Sequence, residues 1–313
     1  MKLAPLLLAL LALLANRAPL LAGADLLSVD SGGTCSSAPL TGDDAGASSR
    51  PGDTRDPVFY PSDTERIKPL GTKLVKNILI DQKEIWLSPF HINRQNAGWW
   101  ALTAGVTGVL ISYDRPLSHQ LENSPGQVRA GNNISRLGAT YTIIPAAAGF
   151  YLAGVLTDNA KARDTGVLGA EAMLDALIVS SVVKTVTARN RPNAPNEAGH
   201  FFSGGNSFPS GHAISTWALA SVVAHEYSDH KFVPIAAYGL ATLVTAARFG
   251  AQQHYASDLV AGAVAGWFIG RYVYNTHEEH RSHVHAVVSR LAPRIEPSTR
   301  TYALNLNLAR QQL

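Results

Sequence analysis

The chain has 313 residues, enough for one large domain or two smaller ones and for a core that needs no disulfides. Its single cysteine, Cys35, excludes an intramolecular disulfide and any structural zinc site built on two or more thiolates. Lys plus Arg number 26 against 23 Asp plus Glu, and the resulting net charge of +3 is too balanced to point to nucleic acid. Charged residues make only 16% of the chain, against about 25% in soluble domains. The mean hydropathy of +0.03 argues against long lipid-facing spans as the dominant feature but admits a few short ones.

The first predicted element is a targeting segment. Lys2 precedes an uncharged apolar run over 3–15, followed by Ala22-Gly23-Ala24 as a possible cleavage site. Its length suits a secretory signal better than a span; the other reading is an uncleaved anchor, and both export the rest of the chain. Residues 25 to about 70 are rich in Ser, Gly, Asp, Thr and Pro and read as a flexible linker. Over 74–86, Leu74, Val75, Ile78, Leu79 and Ile85 alternate with Lys73, Lys76, Lys83 and Glu84, an amphipathic helix stopped by Ser88-Pro89. Packing of its apolar face on the core is preferred over a helix lying on a membrane surface.

Six Ala-, Leu- and Val-rich segments come next, at about 97–113, 138–156, 166–187, 213–226, 232–248 and 258–274. All six are expected to be helical, and no strand pattern of comparable length interrupts them. In the last, Gly262, Gly266 and Gly270 share one face and permit close approach of a neighbouring helix. As spans several are borderline. The fourth is short, and the third carries Glu171, Asp175 and Lys184. If the leader exports the N-terminus and the first three segments all cross, the third ends in the cytoplasm. Then some segments do not span, or the bundle lies beyond the membrane, or the site is cytoplasmic. The division expected is 1–24 leader or anchor, 25–95 linker plus amphipathic helix, 96–275 helical domain and 276–313 tail.

Three patches carry chemistry. Lys184 is followed seven residues later by Arg191-Pro192; two helical turns separate the cations, and Pro192 sets Arg191 at the helix exit. Pro209-Ser210-Gly211-His212 opens the fourth helix after a glycine-rich loop. Orphan backbone N–H groups there suit a phosphate, Ser210 can cap the helix or donate to an oxyanion, and His212 stands where a general acid is useful. Arg248 precedes His254 and Asp258, whose spacing of four allows a carboxylate to fix the imidazole tautomer and free the other nitrogen for attack. Each alone has a bland reading: a solvated basic helix end with Arg189 as a third member, a helix cap beside a histidine, a surface ion pair. Together they supply what metal-free phosphoryl transfer needs, namely cations and amides for the non-bridging oxygens, one imidazole to attack and one to protonate the leaving oxygen.

The ordered set resembles the superfamily of type 2 phosphatidic acid phosphatases and vanadium haloperoxidases. Its pattern is Lys, six residues, Arg-Pro; Pro-Ser-Gly-His; Ser-Arg, five residues, His, three residues, Asp. The chain departs only at Ala247, where the pattern has Ser, and there the expectation is tuning of activity. The resemblance implies an all-α fold, a six-helix bundle, and a phosphatase of a lipid phosphate or diphosphate. By the same resemblance His254 is the nucleophile that forms a phosphohistidine, Asp258 orients it, and His212 protonates the leaving group and then activates water. Lys184, Arg191, Ser210, Gly211 and Arg248 would hold the phosphoryl oxygens. No metal or other cofactor is implied.

Phosphatidic acid, phosphatidylglycerol phosphate and an isoprenoid diphosphate are the lipid candidates, with an exported acid phosphatase of small monoesters as the alternative. A vanadium haloperoxidase and a lipid-phosphate-binding scaffold without turnover are the further alternatives. The expected partners are a phosphorylated substrate and a membrane, not nucleic acid, with the site on the outer, periplasmic side. His277, His280, His283 and His285 lack the spacing of zinc hydrolases; a solvated helix end is preferred over a metal site.

Overall fold

A computed structural model describes residues 70–94, 97–121, 123–194 and 199–291, with side chains to residue 277. The leader, the linker to residue 69, the tail beyond 291 and the side chains of His280, His283 and His285 lie outside the described residues. Every regular element among those described is helical. The α-helices are α1 (Leu70–Leu87), α2 (Ala97–His119), α3 (Pro125–Ser135), α4 (Thr140–Leu156), α5 (Ala160–Thr187), α6 (Gly211–Glu226), α7 (Phe232–Gly250) and α8 (Ala256–Leu291). Short 3-10 turns occupy Ser88–Phe90 and Arg136–Gly138. The chain divides into two compact units at Thr276 and His277, and the second contributes the helical C-terminal end of α8.

Each of the six apolar segments is a helix, and the amphipathic stretch is α1. The bundle has one helix more than the six expected in that region, because α3 escapes a search for apolar runs. It is polar and glycine-containing, and it starts on local signals: Pro125 in its first turn and Ser124 as its cap, accepting from Gln127 N at 3.3 Å. Similar local signals set both ends of α5, whose C-terminal end carries Lys184. Asn159 caps α5 through Ala162 N at 3.1 Å, and α5 stops where Ala188 turns left-handed at φ 42°.

α6 is the centre of the packing. One face sets Ile214, Ala218 and Val222 against Leu168, Ala172 and Ala176 of α5 and Ile269 and Val273 of α8. The other sets Trp217, Ala220 and Ala224 against Tyr238 and Ala241 of α7 and Ala263 of α8. The glycine stripe of α8 lies on the α6 backbone, as its spacing predicts. A Cβ would stand 2.9 Å from Ser210 O at Gly262, 2.1 Å from Ile214 O at Gly266 and 2.3 Å from Ala218 O at Gly270.

α1 meets the expectation of an apolar face on the core only in part: Ile85 packs against the cluster of α5, α6 and α8. Lys73, Asn77 and Asp81 are its buried residues, while Val75, Leu79, Trp86 and Leu87 are exposed. Gln82 meets α5, donating to Asp175 Oδ1 at 2.8 Å. Glu171 and Asp175 themselves are fully buried, so the charges that told against α5 as a span point inward. Polar stripes inside and apolar residues such as Val109, Leu152, Val155, Ile235 and Leu243 outside suit a hydrocarbon surround. Three stretches, Pro125–Leu156, Ala160–Thr187 and Phe232–Gly250, are long and apolar enough to cross a membrane. α6, at 16 residues, is instead a short core helix.

Candidate active site

The segment between α5 and α6 folds back onto the end of α5. Phe202 N donates to Thr187 O at 2.7 Å, Ser203 N to Ala188 O at 2.9 Å and Ser207 N to Arg189 O at 2.8 Å. Ser210 N then donates to Asp258 O at 3.0 Å, which ties the start of α6 to the start of α8. The three sequence patches, 74 residues apart at their extremes (184 to 258), thereby meet at one end of the bundle.

Lys184 donates from Nζ to Asn206 O at 2.8 Å. Arg191 donates from Nε to Asn206 Oδ1 at 2.9 Å and from Nη1 to Gln253 Oε1 at 2.8 Å. Arg248 reaches back to α3, where its Nη1 lies 3.4 Å from Ser135 Oγ. Its Nε is buried and has no hydrogen-bond partner among the described residues. Asn206, Gln253 and Ser135 are not fixed positions of the motifs, although Asn206 lies just before the second motif and Gln253 within the spacer of the third. Ala247, where the family pattern has Ser, is buried at the α3 contact, its carbonyl oxygen 2.7 Å from a Cβ built on Gly131.

Ser210 is the N-cap of α6, its hydroxyl oxygen 3.4 Å from Ala213 N. That contact uses a lone pair and leaves the hydroxyl proton to donate elsewhere. Gly211 stands beside Lys184: a Cβ there would lie 3.7 Å from Lys184 Cε and 3.6 Å from Ser180 Oγ. Cations, helix N-terminus and hydroxyl thus face one small volume, a cradle with the chemistry of an anion site.

His254 is only 2% exposed. Its Nδ1 lies 2.8 Å from Ser207 O and 3.6 Å from Asp258 Oδ2. A carbonyl can only accept, so Nδ1 carries the proton and Nε2 the lone pair. The expected partner, Asp258, is a neighbour rather than the hydrogen-bond acceptor. Its Oδ2 accepts from Ser207 Oγ at 2.5 Å and Tyr255 N at 2.9 Å, and its Oδ1 from Arg189 Nη1 at 2.6 Å. Arg189 is therefore no solvated helix end: it is buried and bound to the aspartate of the third patch.

Burial, followed by the surrounding cations, lowers His254 to about 4 despite the opposing pull of Asp258. Burial, then the charges of Arg248, His254, Lys184 and Arg191, lowers His212 to about 4 as well. Burial likewise lowers Arg191, which Asp258 partly offsets. Near neutral pH the site thus holds two neutral imidazoles among cations. Among the described residues no three His, Cys, Asp or Glu side chains are grouped to hold a metal ion.

Residues 166–282 match the PAP2 superfamily. A lipid A 1-phosphatase of Porphyromonas gingivalis is 33% identical over 70 residues, which is 22% of this chain and 16% of that protein. The chain therefore aligns with about a sixth of that relative's length. The crystal structure of a transmembrane PAP2-type phosphatidylglycerolphosphate phosphatase from Bacillus subtilis superposes with a TM-score of 0.43 at 22% identity, over 66% of this chain and 96% of that one.

Proposed function

From the match of residues 166–282 to the PAP2 superfamily we propose that the protein is a membrane lipid phosphatase. It hydrolyses a phosphate monoester or diphosphate without a metal, through a phosphohistidine on His254. The observation that carries this reading is the cradle itself: Lys184, Arg191 and Arg248 around the start of α6, with a buried Arg248 Nε that makes no bond to the described residues. An uncompensated buried guanidinium N–H is costly unless an acceptor completes it, and a phosphoryl oxygen would do so. The relative named as a lipid A phosphatase and the apolar exterior support an amphiphilic phosphate at a membrane. The apolar leader supports export, with the site on the outer side.

In the first step Nε2 of His254 attacks phosphorus, the bond from phosphorus to the leaving oxygen breaks, and His212 gives that oxygen a proton. Lys184, Arg191, Arg248, the Ser210 hydroxyl and the backbone N–H groups of Gly211 and His212 hold the non-bridging oxygens as their charge redistributes. Asp258 stabilises the cationic phosphohistidine. In the second step His212 takes a proton from water, the hydroxide attacks phosphorus, and the N–P bond breaks. Orthophosphate leaves, and the electron pair returns to Nε2.

His212 is neutral without an anion beside it, so it gains its proton with the substrate. Burial first, and then repulsion from Arg248, Lys184 and Arg191, holds its pKa down, and a phosphate dianion cancels the second of these.

The test is inorganic phosphate release in detergent from lipid phosphates, isoprenoid diphosphates and p-nitrophenyl phosphate, in EDTA, beside His254→Ala. The expected result is release by the wild type alone, with an acid-labile, alkali-stable phosphoenzyme that the variant lacks. Activity lost in EDTA and restored by divalent ions would overturn the metal-free scheme. No release from any substrate, together with vanadate-dependent bromination, would move the reading to a haloperoxidase.

A further inference from the structure

Arg189 spends every arm of its guanidinium on the protein. Nε donates to Gly199 O at 3.0 Å, Nη1 to Ser257 Oγ at 2.7 Å and Asp258 Oδ1 at 2.6 Å, and Nη2 to Asp114 Oδ2 at 2.7 Å. Its plane is held between the rings of Phe201 and Tyr255, 4.6 and 4.5 Å from their centroids. Asp114, the one acid of α2, is fully buried and also accepts from Ser257 N at 2.9 Å and from the Ser257 hydroxyl. A buried ion pair of this kind gains little stability over apolar packing, because desolvating each charge offsets the attraction. Its position beside the nucleophile's carboxylate gives it another use.

We propose that Arg189, held by Asp114, is a positioning residue for the His254–Asp258 couple: it fixes the orientation and the negative charge of the Asp258 carboxylate. This rests on the phosphohistidine reading of the site. With Oδ1 clamped by Arg189, Oδ2 is the oxygen that remains on the His254 side. Because Arg189 is 2% exposed and all three of its guanidinium nitrogens bond to the protein, it acts through Asp258.

The charged groups around the couple come from every neighbouring helix: Lys184 of α5, Arg191 of the loop after it, His212 of α6, Arg248 of α7, and Asp114 through Arg189. Tyr255 stacks on Arg189, and its hydroxyl is raised chiefly by burial. For Asp258, burial pulls upward, but His254 and the charge of Arg189 outweigh it and leave the carboxyl below its ordinary range. Burial raises Asp114 against Ser257 and Arg189, so Asp258 is the carboxylate that keeps its charge as pH falls. Loss of the Arg189 cation therefore lets protons reach Asp258 and His254 at a higher pH.

The experiment is the pH profile of kcat/KM for p-nitrophenyl phosphate in the full-length protein. Arg189→Gln is expected to move the acid limb up by roughly one unit or more. It should lower kcat while leaving KM within about twofold. Arg189→Lys keeps the charge and returns the limb toward wild type. Arg189→Gln strands Asp114, so the charge-balanced pair Arg189→Gln/Asp114→Asn guards against simple misfolding; its limb is also expected to rise. A folded, active double variant whose limb stays in place would overturn the inference. An inactive wild type would overturn the phosphatase reading instead.

Discussion

Ser207 and His254 share the hydrogen bond that sets the imidazole tautomer: Ser207 O accepts from Nδ1 at 2.8 Å, whereas Asp258 stands 3.6 Å away. The tautomer is thus fixed by a backbone carbonyl that no side-chain substitution removes. Asp258→Asn is expected to keep the ring in its productive tautomer and to lose only charge stabilisation of the phosphohistidine. The cost in kcat should be about 10- to 100-fold, the kinetic equivalent of roughly 1.5–3 kcal/mol for a charged contact. His254→Ala should abolish turnover. Single-turnover kinetics separate the two, and a loss for Asp258→Asn as complete as for His254→Ala would show that the aspartate sets the tautomer after all.

The lowered histidines give a pH signature. With His254 at about 4, roughly nine-tenths of it is neutral at pH 5, against about 3% for an unshifted imidazole. The acid limb of kcat/KM, corrected for the substrate's own ionisation, should therefore fall well below pH 6. A limb at the ordinary histidine value would mean that the cations and burial do not act on the nucleophile as the geometry requires.

His212 offers an independent check. An anion in the cradle cancels the charge of Arg248, Lys184 and Arg191 and raises the His212 pKa from about 4. Sulfate, which carries no proton to exchange, should bind with uptake of a proton near pH 6. Calorimetric enthalpies measured in buffers of different ionisation heat would report that uptake. Equal enthalpies in all buffers would leave His212 outside the electrostatic reach of the bound anion.

The motifs are legible because successive helices bring their ends to one side of the bundle, so local sequence at helix termini encodes the site. Asn206, Gln253 and Ser135 are not, because each acts by holding a cation rather than by presenting chemistry of its own. Arg189 reads as one more surface cation, since its partner Asp114 lies 75 residues away. A signal does exist: a lone acid inside apolar α2 must find a cation or a dense set of donors. The orientation of α1 escapes the sequence for a different reason. Ile85 of its apolar stripe does pack on the core, whereas the bundle also presents polar Asp175 to α1 and leaves Val75 and Leu79 outside.

Two glycines should separate fold from chemistry. At Gly266 a Cβ would fall 2.1 Å from Ile214 O, so Gly266→Ala must push α8 off α6 and lower thermal stability. At Gly211 the nearest protein atoms lie 3.6 and 3.7 Å away, and the added methyl enters the cradle instead. Gly211→Ala is expected to leave stability unchanged or up to about 1 kcal/mol higher, while KM for phosphate esters rises about tenfold. Melting curves and steady-state kinetics on both variants decide this. A destabilised Gly211→Ala with normal KM would make Gly211 a packing residue.

Ser135 tests whether α3 belongs to the site. Its hydroxyl lies 3.4 Å from Arg248 Nη1, a long contact, and the same hydroxyl donates to Asn132 O at 3.0 Å. Ser135→Ala leaves Arg248 charged but less firmly aimed. The net worth of one neutral acceptor is about 0.5–1.5 kcal/mol, so KM should rise about 2- to 10-fold, toward the lower end for so long a contact. kcat should change little, because the hydroxyl touches the arginine and not the reacting atoms. If kcat fell as KM held, Ser135 would be acting in the transition state, and Arg248 would be aimed by α7 alone.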